Sequence, residues 1–420
     1  MSRSSKSLTT STSVDYGAWS RDDLIKRIRK LEGRESHKGD LRTSNTTTKR
    51  KLFDPSKFNT RFIALKFAYM GWNFNGLSFQ YEPTPLPTVE EVILKALEKA
   101  KLVTGSDPTL CNLSRCGRTD KGVSALSQVI SLNVRSNLSD LEQANRSNDD
   151  RELPYIAILN ALLPPDIRIT GVCLRPPQGF DARFSCLYRH YKYIFVGEGL
   201  DINAMAQAAG YFEGEHDFRN FCKIDGSKQI TNYRRVIHSS KILPLKDGLF
   251  AFDLQGSAFL WHQVRCMVAI LFLVGQKHEK PCIVHDLMDI EKYPSRPLYD
   301  MAHDIPLVLY DCVFPEMEWL SQASHFGTQQ ERKAEKEFKK FKGFVQSYQV
   351  KSQLVAMMGE AFITRDGPES QEFTNLGDGV GRAFKTYTPI NQRPLGESAE
   401  QHNAKFLEKK KRKISNSTVT

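Results

Sequence analysis

The stretch NLSRCGRTDKGVSALS, residues 112–127, gathers three cations around a single carboxylate. Arg115, Arg118 and Lys121 surround Asp120, and Gly122 follows at a point where the backbone can turn sharply. Nearby positive charge stabilises an ionised carboxylate, and such an Asp can act as a nucleophile, a general base or an anchor for a cation. A solvated loop with an ordinary Arg–Asp ion pair is equally consistent with these residues alone.

Strands and helices alternate on both sides of this stretch. Upstream, RFIALKFAY (61–69) has the period-2 pattern of a strand, and Thr88 with Glu91 forms a capping box that begins a helix. Downstream, YRHYKYIF (188–195) predicts a strand, and the apolar run through residues 258–276 predicts the strongest helix of the chain. Because the alternation occurs twice, we expect an α/β (α+β) body with two similar halves.

Composition divides the chain into four parts. Residues 1–58 predict a mostly disordered extension with a short helix at 20–33, and residues 316–420 predict a basic extension that includes a charged helix. The two predicted lobes lie between them, at 59–178 and 179–315, and residues 137–152 look like an inserted surface loop. The run KKKRK at 409–413 is a nuclear-import signal, a nucleic-acid patch or a solubilising tail, and its sequence does not distinguish these.

Charge and composition narrow the class of protein. The net charge of +11 and the pI of about 9.1 suit a polyanionic partner. Eight cysteines without a CxxC pair predict reduced thiols, and the longest apolar run, residues 267–274, is far short of the ~20 residues that span a bilayer. Neither a zinc-ligand spacing nor a nucleotide-binding glycine motif is present, so we expect a soluble protein that uses no metal or cofactor.

Two further residues stand out. Arg265 lies on the same predicted helical stripe as Trp261, Val268 and Phe272, and a buried arginine needs a partner because an unpaired charge is costly. We expect an ion pair between Arg265 and Asp120, although a snorkelling side chain would also fit the pattern. Tyr191, in the segment RHYKY, suits stacking on a nucleobase while Arg189 and Lys192 meet phosphates; packing in the core is the commoner role of such a tyrosine.

Three segments in this order resemble the signature motifs of the TruA-type tRNA pseudouridine synthase family: GRTDKGVSA (117–125), FDARFSCLYRHYKYIF (180–195) and FLWHQVRCMVAILFLVGQ (259–276). The resemblance covers roughly residues 60–315. The segment HDFRNFCKID (216–225) is most similar in sequence to the eukaryotic branch that modifies uridines 38 and 39 in the tRNA anticodon arm. Lys121 and Ser124 depart from the bacterial pattern but are tolerated among eukaryotic members.

The resemblance implies a role for each candidate residue. Asp120 aligns with the catalytic aspartate that attacks the target nucleotide, and Arg265 aligns with the catalytic arginine that pairs with it. Tyr191 aligns with the substrate-binding tyrosine that stacks on the flipped uracil, and Arg118 with the arginine that helps to push the base out of the stack. It also implies a two-lobed fold with a central cleft, a homodimer, tRNA as partner, no cofactor, and residence in nucleus and cytoplasm.

Two other functions compete with this hypothesis. A tRNA-binding chaperone would keep the fold without catalysis, and a nucleoside glycosidase would use an aspartate nucleophile with a second carboxylate as acid. The first step of the isomerisation also remains open between attack at the sugar C1′, with elimination to a glycal, and Michael addition to C6 of the base.

Overall fold

The computed structural model describes residues 57–321, 327–362 and 372–417. Within these residues a mixed nine-stranded sheet forms the centre of the molecule, in the order β4-β1-β3-β9-β5-β8-β7-β6, with β2 paired to β3. The strands are β1 (Asn59–Tyr69), β2 (Ser114–Arg115), β3 (Ser124–Ser136), β4 (Ile167–Cys173), β5 (Tyr188–Val196), β6 (Gly214–Asp217), β7 (Arg234–Pro244), β8 (Leu249–Gly256) and β9 (Leu307–Val313). The predicted α/β class is confirmed, whereas the short helix expected at 20–33 lies outside the described residues.

Helices pack on the sheet and on each other to form two hydrophobic cores. Short and medium helices within the body are α1 (Val89–Lys99), α2 (Asp140–Gln143), α3 (Tyr155–Leu162), α4 (Ile202–Gly210), α5 (Gln263–Gly275) and α6 (Ile283–Met288). The first core lies between β1, β3, α1 and α3, and the second lies around α4 and α5. The predicted capping box of α1 is present, with Thr88 accepting from the Glu91 backbone N–H at 3.2 Å.

The C-terminal segment is more ordered than its charged composition suggests. It contains α7 (Gly327–Phe362), the two-stranded hairpin β10 (Phe373–Thr374) and β11 (Arg382–Ala383), and α8 (Ala399–Ser417). Ile390 and Ala399 are buried in the second core, and the Tyr193 hydroxyl donates to the Leu376 carbonyl at 3.2 Å. Part of the predicted extension therefore packs on the second lobe; the domain boundaries at 58, 178 and 315 stay predictions.

Strand β9 joins the two halves into one sheet. It runs parallel to β3, with Leu309 opposite Ala125, and antiparallel to β5, with Leu309 also opposite Tyr191. Since neighbouring strands lie about 4.8 Å apart, Tyr191 is placed roughly 10 Å from the start of β3, where the Asp120 turn ends. The sheet thus brings together two candidate residues that are far apart in the sequence.

Candidate active site

The Asp120 turn is fixed by a neighbouring loop that follows β1. The Leu77 N–H donates to the Thr119 carbonyl at 3.2 Å, and the Gly122 N–H donates to the Phe74 carbonyl at 3.4 Å. The Tyr69 hydroxyl lies 2.7 Å from the Thr119 hydroxyl. The backbone on both sides of Asp120 is therefore fixed by hydrogen bonds to the loop that follows β1.

The backbone of Gly71 packs directly against the end of the Asp120 turn, and we expect substitution of this glycine to destabilise the protein. A Cβ at this position would lie 2.0 Å from the Val123 carbonyl oxygen, so the Asp120 turn would have to move. We expect Gly71→Ala to lower the free energy of unfolding by at least about 2 kcal/mol, measured by urea denaturation. Gly117→Ala is the matched control, because no atom lies within 4 Å of its added Cβ; an equal loss in both variants would contradict this account.

The Asp120 carboxylate meets His262 rather than the cations of its own turn. Its Oδ2 lies 3.3 Å from His262 Nε2, and its side chain is 33% exposed. Arg115 instead forms an ion pair with the buried Glu90, while Arg118 and Lys121 are exposed. The predicted ring of cations around Asp120 is therefore wrong in its details, because those side chains turn to a different carboxylate or to solvent.

Burial sets the pKa of Asp120. Desolvation raises the pKa of this carboxyl above its ordinary value, and the positive charges of Arg265 and Lys223 and a hydrogen bond from Trp261 oppose the rise. The nearby Asp304 charge raises it further. The expectation that nearby positive charge favours the ionised carboxylate is thus corrected: desolvation outweighs that charge, and the pKa of Asp120 lies above its ordinary value.

Arg265 lies in the same cleft but does not form the predicted ion pair. Helix α5 begins at Gln263, so Trp261 precedes the helix and the expected helical stripe starts one turn too early. The Arg265 Nε donates to the Ala302 carbonyl at 2.7 Å, which holds the guanidinium where its charge acts on Asp120 through space. The coupling predicted between the two residues is electrostatic, without the direct contact that we expected.

A large cleft contains all four predicted site residues. Its volume is about 1170 Å³, and its wall includes Asp120, Arg118, Tyr191 and Arg265. Ligand pockets typically enclose about 300–1,000 Å³, so this cleft has room for a nucleotide with parts of its neighbours. Residues distant in sequence therefore converge on one site large enough for a piece of nucleic acid.

Tyr191 lies in this wall with its ring edge-on to Phe259, at a centroid distance of 5.0 Å. It packs against both hydrophobic cores and is partly buried. Burial raises the pKa of its phenol above the ordinary value, so the hydroxyl stays protonated at neutral pH. An aromatic face and a neutral hydroxyl are what this residue offers to a ligand.

The basic neighbours of Tyr191 have structural roles. Arg189 donates to the carbonyls of Ser257, Cys116 and Arg183 at 2.7, 3.0 and 2.9 Å. Lys192 pairs with Asp253 at 3.3 Å. The expectation that Arg189 and Lys192 meet phosphates is not supported by these contacts, because both cations are already engaged within the protein.

Several residues of the cleft were not predicted from the sequence. They include His262, Lys223 and the 81% exposed Phe184. The signal for His262 was its place just before the strongest helix, three residues from Arg265, but a lone histidine gives no reason to expect contact with Asp120. No group of three or more His, Cys, Asp or Glu side chains within the described ranges could hold a metal ion. The expectation that no cofactor is used stays a prediction.

Comparison with known proteins places the chain in a family of RNA-modifying isomerases. Residues 208–315 match the family described as tRNA pseudouridine synthase. The chain belongs to the tRNA pseudouridine synthase family, as the three motifs predicted.

Individual relatives narrow the comparison. The chain is 53% identical over 416 residues to the tRNA pseudouridine(38/39) synthase of Saccharomyces cerevisiae, covering 95% of this chain and 93% of that protein. It is 42% identical to the human tRNA pseudouridine(38/39) synthase, over 70% of this chain and 65% of the human one. The tRNA pseudouridine synthase A of Methanothrix thermoacetophila is 33% identical over 61% of this chain and 85% of its own length. None of the helices in the described ranges combines the length and apolar character needed to cross a membrane.

Proposed function

We propose that this enzyme isomerises uridine to pseudouridine at positions 38 and 39 of the tRNA anticodon stem-loop. The observation that carries the proposal is the Asp120 carboxylate in a cleft of about 1170 Å³ that also contains Tyr191 and Arg265. Further support comes from the yeast and human relatives, which are named for these two positions.

The reaction breaks the C–N glycosidic bond of uridine and rejoins the same uracil through carbon, so no atom is gained or lost. The target base has to leave the helical stack to reach Asp120. In our proposal the Asp120 oxyanion forms the covalent adduct, either at the sugar C1′ or at C6 of the base. Protein side chains must hold the detached uracil while it rotates. We assign this task to Tyr191, whose aromatic ring lies in the cleft wall and can stack on the base.

Positive charge at the cleft suits an RNA ligand. Arg118, Arg183, Lys223 and Lys228 line the cleft and are exposed. Phosphates attract such side chains, and their neutralisation supplies much of the affinity for nucleic acids. We assign to Arg118 the task of displacing the target base, since it is the exposed cation two residues before Asp120.

Site-resolved pseudouridine mapping tests the proposal directly. Unmodified tRNA is incubated with the full-length protein, and pseudouridine is mapped at single-nucleotide resolution with tRNA binding measured in parallel. Pseudouridine at 38 or 39 supports the proposed function. Intact tRNA binding without any pseudouridine would contradict it and favour a binding protein.

A nucleoside glycosidase is a second candidate because of one observation. Asp304 lies close enough to Asp120 for its charge to raise the Asp120 pKa, so a second carboxylate lies near Asp120, outside the residues that line the cleft. Glycosidases commonly use such a pair, one as nucleophile and the other as acid. Release of free uracil from the RNA, instead of retained pseudouridine, would favour this function.

We also propose that the enzyme is a homodimer present in nucleus and cytoplasm. Helix α7 supports self-association through exposed apolar residues at heptad spacing, namely Phe338, Phe341, Val345, Tyr348 and Val355. Light scattering should give twice the chain mass, and fluorescence imaging of the tagged full chain should show both compartments. The exposed basic run on α8 is compatible with nuclear entry.

A further inference from the structure

Helix α8 is docked against a loop that forms part of the cleft wall. Asn403 Nδ2 donates to the Ile230 carbonyl at 3.1 Å, and Gln229 Nε2 donates to the Asn403 carbonyl at 3.2 Å. Ile230 and Lys228 of this loop line the cleft that contains Asp120. The position of the helix is therefore coupled to the wall of the active site.

Close packing fixes this contact. A Cβ at Gly226 would lie 2.5 Å from the His402 carbonyl oxygen and 3.1 Å from the Phe406 Cβ. The backbones of the loop and the helix are therefore in direct contact, with no space for a side chain at this position. Ala399, at the start of the helix, is only 4% exposed. The first two turns of α8 are thus held against the body.

The next turns carry the strongest basic run of the chain. The side chains of Lys409, Lys410, Lys411 and Arg412 are exposed. At 1.5 Å per residue, Lys411 lies roughly 8 Å along the helix axis from Phe406. A cluster of exposed cations therefore continues from the turns of α8 that pack against the cleft-wall loop.

We propose that α8 is an RNA-binding arm whose basic turns bind the phosphate backbone of the same tRNA that enters the cleft. Phosphates of a folded RNA are dense and regularly spaced, so cations three residues apart on one helix face, such as Lys409 and Arg412, can contact neighbouring phosphates. This inference rests on the proposed function, because it extends the binding surface for that substrate beyond the cleft.

The test compares two triple variants of the full-length protein. Lys409→Gln/Lys410→Gln/Lys411→Gln is expected to raise the Kd for tRNA on the order of 10-fold at moderate salt and to lower the salt slope of binding by about 2–3. KM should rise while kcat at saturating tRNA is retained. The matched control is Lys241→Gln/Lys246→Gln/Lys280→Gln, which removes the same charge from exposed positions that do not line the cleft.

Each outcome decides a separate question. Equal changes in both variants, or no change in either, would overturn the inference and leave only a general effect of net charge. Loss of nuclear accumulation with unchanged tRNA binding would overturn it in favour of an import signal. If the wild-type protein binds tRNA but makes no pseudouridine, the proposed function fails while the binding comparison still tests the arm.

A second and independent observation concerns His262. This residue has a left-handed backbone conformation, with φ +61°, immediately before α5, and its ring stacks on Trp261 at a centroid distance of 4.4 Å. Its Nε2 lies 3.3 Å from Asp120 Oδ2. The strained backbone and the stacked ring together aim the imidazole at the carboxylate.

His262 contacts Asp120 as a neutral group. Burial lowers the His262 pKa to about 3, helped by the charges of Arg265, Lys223 and Arg296. With a carboxylate at Nε2, the ring proton belongs on that nitrogen, where it can donate. The other nitrogen, Nδ1, is buried and has no hydrogen-bond partner. The neutral ring thus places a potential donor 3.3 Å from Asp120 Oδ2 without adding a charge.

We infer that His262 is a positioning residue that holds one oxygen of Asp120 and leaves the other for the substrate. Removing the donor should leave the carboxylate free to rotate, which slows the chemical step more than it weakens tRNA binding. This inference also rests on the proposed function.

Two substitutions at the same strained position test it. His262→Leu removes the donor and should lower kcat roughly 10- to 100-fold, whereas His262→Gln keeps an N–H donor and should retain most of it. Loss of the donor also lets the Asp120 pKa rise, so the acid limb of activity should move to higher pH in His262→Leu. Arg265, Lys223 and Asp304, which also face Asp120, are unchanged in both variants. Equal losses with the same acid limb would overturn the inference and indicate a packing role.

Discussion

Replacing Asp120 by Asn is expected to lower the rate of pseudouridine formation by a factor on the order of 10⁴ or more, with tRNA affinity nearly unchanged. The reason is that an amide occupies the same space and can still contact His262 but cannot form the covalent adduct that the proposed reaction requires. The measurement is single-turnover pseudouridine formation on tRNA, with binding followed separately by a filter or fluorescence assay.

Asp304→Asn is the matched control for this experiment. It removes a neighbouring carboxylate whose charge raises the Asp120 pKa, so the acid limb of activity should move to lower pH while the rate at neutral pH is largely kept. Equal rates in wild type and Asp120→Asn would remove Asp120 from its proposed role. A loss in Asp304→Asn as large as that in Asp120→Asn would instead favour the two-carboxylate glycosidase.

The largest expected effect on stability is at Arg61, which lies in a buried position at the start of β1. Its Nη1 donates to Glu152 Oε2 at 2.9 Å, with side-chain exposures of 3% and 0%, and its Nε donates to the Leu174 carbonyl at 2.9 Å. Arg61→Met should lower the free energy of unfolding by about 3–5 kcal/mol, because it leaves the Glu152 charge buried without its partner. Urea denaturation with an unchanged m-value measures this loss.

An exposed pair in the same region provides the control. Arg151 contacts Glu142 with side-chain exposures of 61% and 35%, so Arg151→Met should change stability by no more than about 0.5 kcal/mol. If both variants lose the same free energy, the buried pair does not contribute as argued.

The lowered pKa of Glu152 should make the stability of the protein depend on pH. Burial works to raise its pKa, but hydrogen bonds from Ser136, the Leu153 N–H, Arg61 and the Asn137 N–H hold it below the ordinary value. A carboxyl with a lowered pKa stabilises the fold above its unfolded pKa and loses that contribution as the pH falls through the folded one. The difference in stability between wild type and Glu152→Gln should therefore shrink below about pH 4.5.

The sequence predicted the architecture because the signals were local. Each local pattern predicts the element in which it lies: the alternation predicts β1, the capping box at Thr88 predicts α1, and the apolar run predicts α5. The convergence of Asp120, Arg118, Tyr191 and Arg265 in one cleft followed from matching motifs to a family, and the structure places all four there.

The contacts between these residues could not be predicted in the same way. Whether Arg115 meets Asp120 or Glu90 depends on how α1 packs beside the turn, and no local pattern reports that packing. The His262 contact depends on a single left-handed residue before α5, and the burial of Glu152 depends on how the 137–152 segment folds back onto β1. Long-range packing decides such partners, whereas composition describes them only as charged residues in loops.

The position of β9 has a consequence for the order in which the protein folds. β1, β2, β3 and β4 leave the ribosome early, and β2 already pairs with β3 at Ile130 and Ser131, yet the start of β3, at Ser124 and Ala125, stays unpaired on its β9 side until residues 307–313 have been synthesised. An unpaired strand edge is a template for association with other chains. During synthesis the first half of this enzyme therefore depends on its own fast local packing, or on a chaperone, to protect that edge until the distant strand arrives.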